Sequence, residues 1–261
     1  MPAWVQPYGL FQAAAVIVCV LLTHRALVRS DAGLLERPGL ILAVLIGAAL
    51  GGRLHVLLEG VFLRGLGWNE LKPLLHPLTG GSAFFGAMSG VLLVLFLWRR
   101  HLPTGGLGGL SDAAVVGAGW GIFIGRIGCL RQGCCLGNPI AMPNAIGSAL
   151  RGLLPDWPGL WAFQPLPMWL GLWALASAYL SGRMRRAQPP GSRFLFFVGF
   201  FSLGRFFLEF LRWDPGWGFP LKVAQIESLL LILVVGAILY RRGATHPPPA
   251  TRPAASRLSP S

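Results

Sequence analysis

Long apolar stretches alternate along this chain with short polar breaks. A helix that crosses the hydrocarbon core of a bilayer needs about 20 mostly apolar residues. That ruler picks out seven stretches, at about 8–28, 39–60, 82–98, 113–130, 166–182, 194–211 and 221–240. The breaks at 23–38, 99–112 and 181–193, and the end of the chain from residue 241, are plainly polar. The pattern predicts an all-α, polytopic membrane protein with seven transmembrane helices.

The basic residues set the expected orientation, because cytoplasmic loops retain Lys and Arg. Of the 22 Lys and Arg, thirteen fall in the connections that begin with Arg25, Arg29 and Arg37 and end with Arg241, Arg242, Arg252 and Arg257. Six fall on the opposite side, and Arg53, Arg126 and Arg205 lie within spans. The N-terminus is therefore expected outside and the C-terminus inside. Met1 to Gln12 carries no positive charge, so the first span is expected to be retained rather than cleaved. Residues 1–242 read as one seven-helix membrane domain with a long outer loop at about 131–165, and 243–261 as a disordered cytoplasmic tail rich in Pro, Ala and Ser. Within the loop Ile146 to Leu154 is amphipathic, and Trp157 and Trp161 suit the headgroup belt.

Composition agrees with the pattern: 54% of the 261 residues are hydrophobic and 12% charged. A mean hydropathy of +0.62 is far above that of a soluble domain of this size. The net charge of +13 would suggest nucleic acid as a partner if it were gathered into a stripe, but it is scattered between apolar runs. No nucleic-acid partner is expected. Four cysteines without a C-x-x-C pair argue against a structural zinc module, and such a chain is no disulfide-stapled miniprotein. Small residues at Ala113, Gly117, Gly121 and Gly125, at Gly47 and Gly51, and at Gly86 and Gly90 predict close helix packing.

Charge inside the spans changes the picture more. An Arg at mid-bilayer costs about 2.5–3.5 kcal/mol on insertion scales, so Arg53, Arg126 and Arg205, each in the outer half of a span, need a reason. Arg205, Glu209 and Arg212 stack on one helical face, Glu227 enters from the last span, and Glu59 ends the second. One reading pairs each Arg with a carboxylate to hold the bundle together. The other has the guanidiniums grip the phosphate of an anionic phospholipid at the outer headgroup level, where Arg binds bidentately. A transporter fits less well, since no polar residues recur toward the cytoplasmic half.

The outer-half landmarks in order are Tyr8-Gly9-Leu10, Gly51-Gly52-Arg53-Leu54, Gly80-Gly81-Ser82-Ala83-Phe84-Phe85-Gly86, the run from Gly125-Arg126-Ile127-Gly128 to Gly133-Cys134-Cys135-Leu136-Gly137, and Gly204-Arg205-Phe206-Phe207-Leu208-Glu209-Phe210. In order and spacing, from about residue 8 to 240, this resembles the prolipoprotein diacylglyceryl transferases of the bacterial inner membrane. The resemblance implies transfer of the diacylglyceryl group from phosphatidylglycerol to the lipobox cysteine of an exported lipoprotein precursor, at the periplasmic leaflet and without a cofactor or metal. It implies Arg126 and Arg205 as the phosphate-binding pair, Glu209 as the group that orients Arg205, and Tyr8 and Arg53 as lining of the lipid site. Gly86, Gly128, Gly137 and Cys134 complete the expected substrate-binding set. A catalytically silent paralogue that binds lipid or a membrane partner is the alternative.

Departures from the family pattern fall on its polar groups. Phe85 stands where the family has His, Cys129 and Gln132 where it has Asn, and Cys134 where it has Glu. The stretch Gln164-Pro165-Leu166-Pro167-Met168-Trp169 keeps the prolines of the fifth-span entry and loses its polar residues. An incoming thiol, mostly protonated at neutral pH, wants a base or strong positive potential, and the expected base is missing. Cys129, Cys134 and Cys135 then read as packing thiols, as a disulfide such as Cys129 with Cys134, or as a thiolate activated by Arg126 and Arg131. Metal binding is the least favoured reading, because the outer loops add only His76 as a soft ligand. Cys19 reads as core, and His55, two positions from Arg53, as a packing or interface residue.

Overall fold

The computed structural model describes residues 7–29, 38–62, 65–67, 69–71, 84–98, 100, 106–139, 144–153, 163–184, 188–213 and 220–245. The main elements are α1 (Pro7–Arg29), α2 (Pro38–Phe62), α3 (Phe84–Trp98), α4 (Gly106–Gln132), α5 (Asn144–Leu153), α6 (Leu166–Arg183), α7 (Ser192–Leu208) and α8 (Val223–Thr245). A 3-10 turn, Glu209–Leu211, extends α7. Among the described residues the only β pairing is two isolated bridges, Gly137 with Arg212 and Pro139 with Phe163.

Every apolar stretch of the sequence coincides with one of these helices. Five of them are long and apolar enough to cross a membrane: Tyr8–Arg29, Leu42–Phe62, Gly106–Gln132, Ser192–Leu211 and Val223–Arg242. The third stretch forms a shorter apolar helix, Gly86–Trp98, and the fifth a helix of 18 residues. The amphipathic segment of the loop forms α5. Trp157, Trp161, His76, Gly80 to Ala83 and the tail from His246 lie outside the described residues.

Proline sets several helix starts, where its missing N–H costs nothing: Pro7 opens α1, Pro38 opens α2, and Pro165 and Pro167 flank the start of α6. The start of α4 lies seven residues before the apolar stretch begins, because Ser111 and Asp112 are polar yet helical. Asp112 has work elsewhere. Its two carboxylate oxygens accept the Gly191 and Phe194 N–H groups at 2.9 Å each, capping α7 from another helix. Gly191, at φ 87°, makes the left-handed entry to that cap.

The helices pack as α1 on α4, α2 on α3, α4 on α6 and α7, α6 on α7, and α7 on α8. The predicted small-residue stripes are the contact faces. A Cβ at Gly117 would lie 2.5 Å from the Cys19 carbonyl oxygen, and one at Gly121 3.2 Å from that of Ala15, so α1 rides directly on the α4 backbone. Gly47, Gly51, Gly86 and Gly90 interlock α2 and α3 in the same way. The buried cluster of Val115, Ala178, Phe197, Val198 and Val235 joins α4, α6, α7 and α8.

The outer surface is apolar: Leu50, Leu97, Phe207 and Leu233 are each more than half exposed. The interior instead holds Ser177, Ser181, Ser202, Gln225 and Ser228, all fully or almost fully buried. Ser177, Ser181 and Ser228 donate to the carbonyls four residues earlier, which satisfies them within their own helices. That inversion of the soluble pattern suits a lipid solvent.

Candidate functional site

The site begins with the way α4 ends. Gly133, at φ 71°, takes the left-handed position just past the helix. Its N–H donates to the Leu130 carbonyl at 3.2 Å, and the Cys134 N–H donates to that of Cys129 at 3.0 Å. This pair of bonds is a Schellman motif, in which the side chains at the third-last helical position and two beyond the cap meet. Those positions are Cys129 and Cys134. Cys135, the one described non-glycine residue with positive φ (58°), turns its side chain back toward them. The three Sγ atoms lie within 4.8 Å of one another, and all three thiols are free. The disulfide reading of Cys129 and Cys134 is therefore not the state of this structure.

Beyond Cys135 the chain is laced between two helices. The Gly137 N–H donates to the Gln164 carbonyl at 3.0 Å, that of Asn138 to Leu211 at 2.9 Å, and that of Trp213 to Leu136 at 3.0 Å. A Cβ at Gly137 would lie 2.7 Å from the Gln164 Cβ and 3.0 Å from the Leu211 oxygen, so only glycine lets the three segments close. This lacing carries Arg212 to the end of α4, where its Nη2 lies 3.8 Å from the Cys135 Sγ.

A small cleft results, lined by Arg126, Cys135, Leu166, Pro167, Leu170, Arg205, Glu209 and Arg212. Arg126 comes from α4 and Arg205 from α7, and the Arg126 Nη1 lies 3.9 Å from the Cys129 Sγ. Glu209 bridges two cations, 3.7 Å from Arg205 Nη2 and 2.8 Å from Arg212 Nη1. Both Arg205 (7% exposed) and Glu209 (4% exposed) are buried. Three guanidiniums thus face one carboxylate in a desolvated pocket, an arrangement that favours an added anion. Past the helix end, hydrogen bonds from Cys129 and Cys134, aided by the Arg126 and Arg212 guanidiniums, hold the Cys135 thiol well below the usual thiol range. Hydrogen bonding to Cys129 and then Cys135 pushes the Cys134 thiol up.

Most of the expected site residues converge here. Arg126, Arg205 and Glu209 share the cleft, Cys134 sits in the thiol cluster, and Gly137 closes the strap. Gly128 is where α1 meets the site: a Cβ there would lie 2.8 Å from the Phe11 Cβ and 3.6 Å from Tyr8 Cδ2. Arg53, on α2, is not among the residues lining the cleft. Gly86 contacts α2, where an added Cβ would run into the His55 Cβ and the Gly51 carbonyl.

His55 is an interface residue. Its Nε2 lies 3.1 Å from Glu227 Oε1, joining α2 to α8, and Arg205, Glu59 and Glu209 are within electrostatic reach of that carboxylate. Arg212 was not among the expected site residues, although its stacking with Arg205 and Glu209 on one face was legible, and the structure places it in the cleft.

A larger hollow of about 460 Å³ lies between α4 and α6, lined by Val116, Trp120, Leu175, Ala178, Tyr179, Gly182 and Arg183. It holds one charged side chain, Arg183, which sits 5.0 Å from the centroid of the Tyr179 ring. The chemistry-bearing groups gather in the smaller cleft.

Residues 1–241 match the family described as prolipoprotein diacylglyceryl transferase. The chain belongs to that family. Several relatives carry the name phosphatidylglycerol–prolipoprotein diacylglyceryl transferase. The one from Geobacter sulfurreducens is 29% identical, over 90% of this chain and 91% of its own length. That from Rhodopseudomonas palustris is 32% identical, over 81% of this chain and 75% of its own. The match to the relative from Dehalococcoides mccartyi, at 30% identity, spans 62% of either protein. Phe85 lies in the first turn of α3, and Cys134 just past the end of α4.

Proposed function

We propose that this chain is a phosphatidylglycerol–prolipoprotein diacylglyceryl transferase. It moves the diacylglyceryl group of phosphatidylglycerol onto the thiol of a lipobox cysteine in an exported precursor. In this reading the protein is a multi-pass protein of the bacterial inner membrane, with seven spans, the N-terminus outside, the C-terminus inside, and the cleft facing the periplasmic leaflet. Residues 1–242 are the membrane domain and 243–261 a cytoplasmic tail.

One observation carries the reading: Arg126 and Arg205, from different helices, line one cleft with Arg212 and a single carboxylate. As the ester bond from the glyceryl carbon to phosphate breaks, negative charge grows on the departing phosphate. Guanidiniums already in place stabilise that charge without reorganising. Glu209 holds Arg205 and Arg212 in register. Tyr8 and Arg53 line the path of the lipid, Gly86, Gly128 and Gly137 permit the close approaches around it, and Cys134 lies at the acceptor side.

Expression in a strain depleted of its own diacylglyceryl transferase tests the reading. Disappearance of unmodified precursor is expected, and accumulation at good expression would refute it. The loss of the family's His and Glu at Phe85 and Cys134 favours one other reading, a silent paralogue that retains phospholipid. That reading predicts lipid in the purified protein together with failed complementation.

A further inference from the structure

The thiol cluster has a feature that packing does not require. Three sulfurs sit within 4.8 Å of one another, and two of them lie next to guanidinium nitrogens that can act as N–H donors. A soft set of three thiolates suits a d10 ion such as zinc, and three protein ligands with a vacant fourth position is the arrangement of catalytic zinc sites. Metal–sulfur bonds of about 2.3 Å in a tetrahedron put sulfurs about 3.8 Å apart, so the cluster needs to contract by no more than about 1 Å. N–H donors to the ligand sulfurs are the outer-shell partners such sites use, and Arg126 and Arg212 offset the charge of the thiolates. Cys135 also lines the anion cleft, so a fourth ligand would enter from the cleft.

We propose that Cys129, Cys134 and Cys135 hold a zinc ion whose open position takes the acceptor thiol. The identity of that acceptor rests on the transferase reading above; the metal site does not. A thiol that coordinates zinc loses its proton outright, which removes the need for the base absent from position 85 and for the carboxylate absent from position 134. The acceptor sulfur then attacks the glyceryl carbon that bears the phosphate ester. A carbon–sulfur bond forms as the carbon–oxygen bond breaks, and glycerol phosphate leaves, with the thiol proton passing to it through water. Arg126 touches both halves, contacting Cys129 at 3.9 Å and lining the cleft with Arg205.

The full chain, purified in detergent with a phosphine reductant and equilibrated with micromolar zinc, is expected to hold one zinc per chain. Cobalt in its place is expected to give sulfur-to-metal charge-transfer absorption. Cys129→Ser, Cys134→Ser and Cys135→Ser are each expected to weaken binding more than about 100-fold, beyond the usual effect of losing an outer-shell partner. Cys19→Ser is expected to bind as the parent does. In the unsubstituted protein zinc is expected to shield three thiols, but not Cys19, from alkylation, which needs no variant to fold. A cysteine-containing lipobox peptide is expected to shift the cobalt spectrum, and its serine counterpart to leave it unchanged.

Absence of stoichiometric zinc, equal retention in all three serine variants, or no spectral response to the peptide thiol would overturn the proposal. A Cys129–Cys134 disulfide with no zinc in protein isolated without reductant would do the same. Zinc and peptide binding without transfer would leave the site standing and remove the transferase reading.

Discussion

The two ends of the bundle treat charge in opposite ways. Where α4 begins, polar groups are spent on structure: Asp112 accepts two backbone N–H groups of the α7 entry, and Arg242 donates to the Pro190 carbonyl at 3.3 Å and Ser192 Oγ at 3.5 Å. Donors and acceptors match, and the helices are locked. Where α4 ends, Arg126, Arg205 and Arg212 line one cleft with Glu209, Glu227 of α8 lies within electrostatic reach of Arg205, and three thiols sit beside them. Burying a cation costs several kcal/mol in an apolar setting unless countercharge meets it.

Substitutions at the two ends should separate accordingly. The largest effect on lipid retention is expected from Arg126→Gln and Arg205→Gln, each of which should lower phosphatidylglycerol retention about 10- to 100-fold in native mass spectrometry. That range corresponds to about 1.5–3 kcal/mol for a charge-assisted hydrogen bond. Unchanged retention would dissolve the contrast between the ends. Glu209→Ala should destabilise the protein by about 3–5 kcal/mol, because it takes their shared carboxylate from the buried Arg205 and the partly buried Arg212. A drop in the thermal midpoint in detergent reads this out.

Gly137→Ala, which forces the Gln164 and Leu211 segments apart, should cost about 1–3 kcal/mol in the same assay and weaken lipid retention with it. Gly204→Ala, which drives a methyl into the Trp173 indole, should cost a similar amount. The smallest effect is expected from Asp112→Ala, about 1 kcal/mol of stability for the lost cap and no change in lipid retention. If Asp112→Ala released lipid as strongly as Arg126→Gln, the two ends would not be independent.

The sequence made the arginines visible but not their arrangement. Arg126 and Arg205 stood out because a guanidinium inside an apolar stretch is costly wherever the chain then folds. Arg212 lies outside the predicted span, and its spacing put it on the face of Glu209. The strap through Gly137 and Asn138 is what brings both beside Cys135 at the end of α4, and no periodicity encodes that meeting. His55 was read by angle around its own helix, two positions from Arg53. That angle says nothing of α8, from which Glu227 meets it.

Gly133 after α4 was a readable stop signal, and with it the meeting of Cys129 and Cys134, since a Schellman end joins residues five apart. Cys135 joining them depended on its left-handed backbone, which a non-glycine residue adopts only when surrounding contacts hold it.

By itself, then, the sequence determined what is local: which apolar stretches become helices, their small-residue contact faces, the ends of α4 and α6, and the presence of cations where lipid makes them expensive. These follow from hydropathy, backbone geometry and desolvation, which act over a few turns of chain. Only the tertiary structure decided which cations share a carboxylate and which thiols share a point in space. Those outcomes depend on how helices far apart in the chain are laid against one another, and the residues themselves carry no record of that distance.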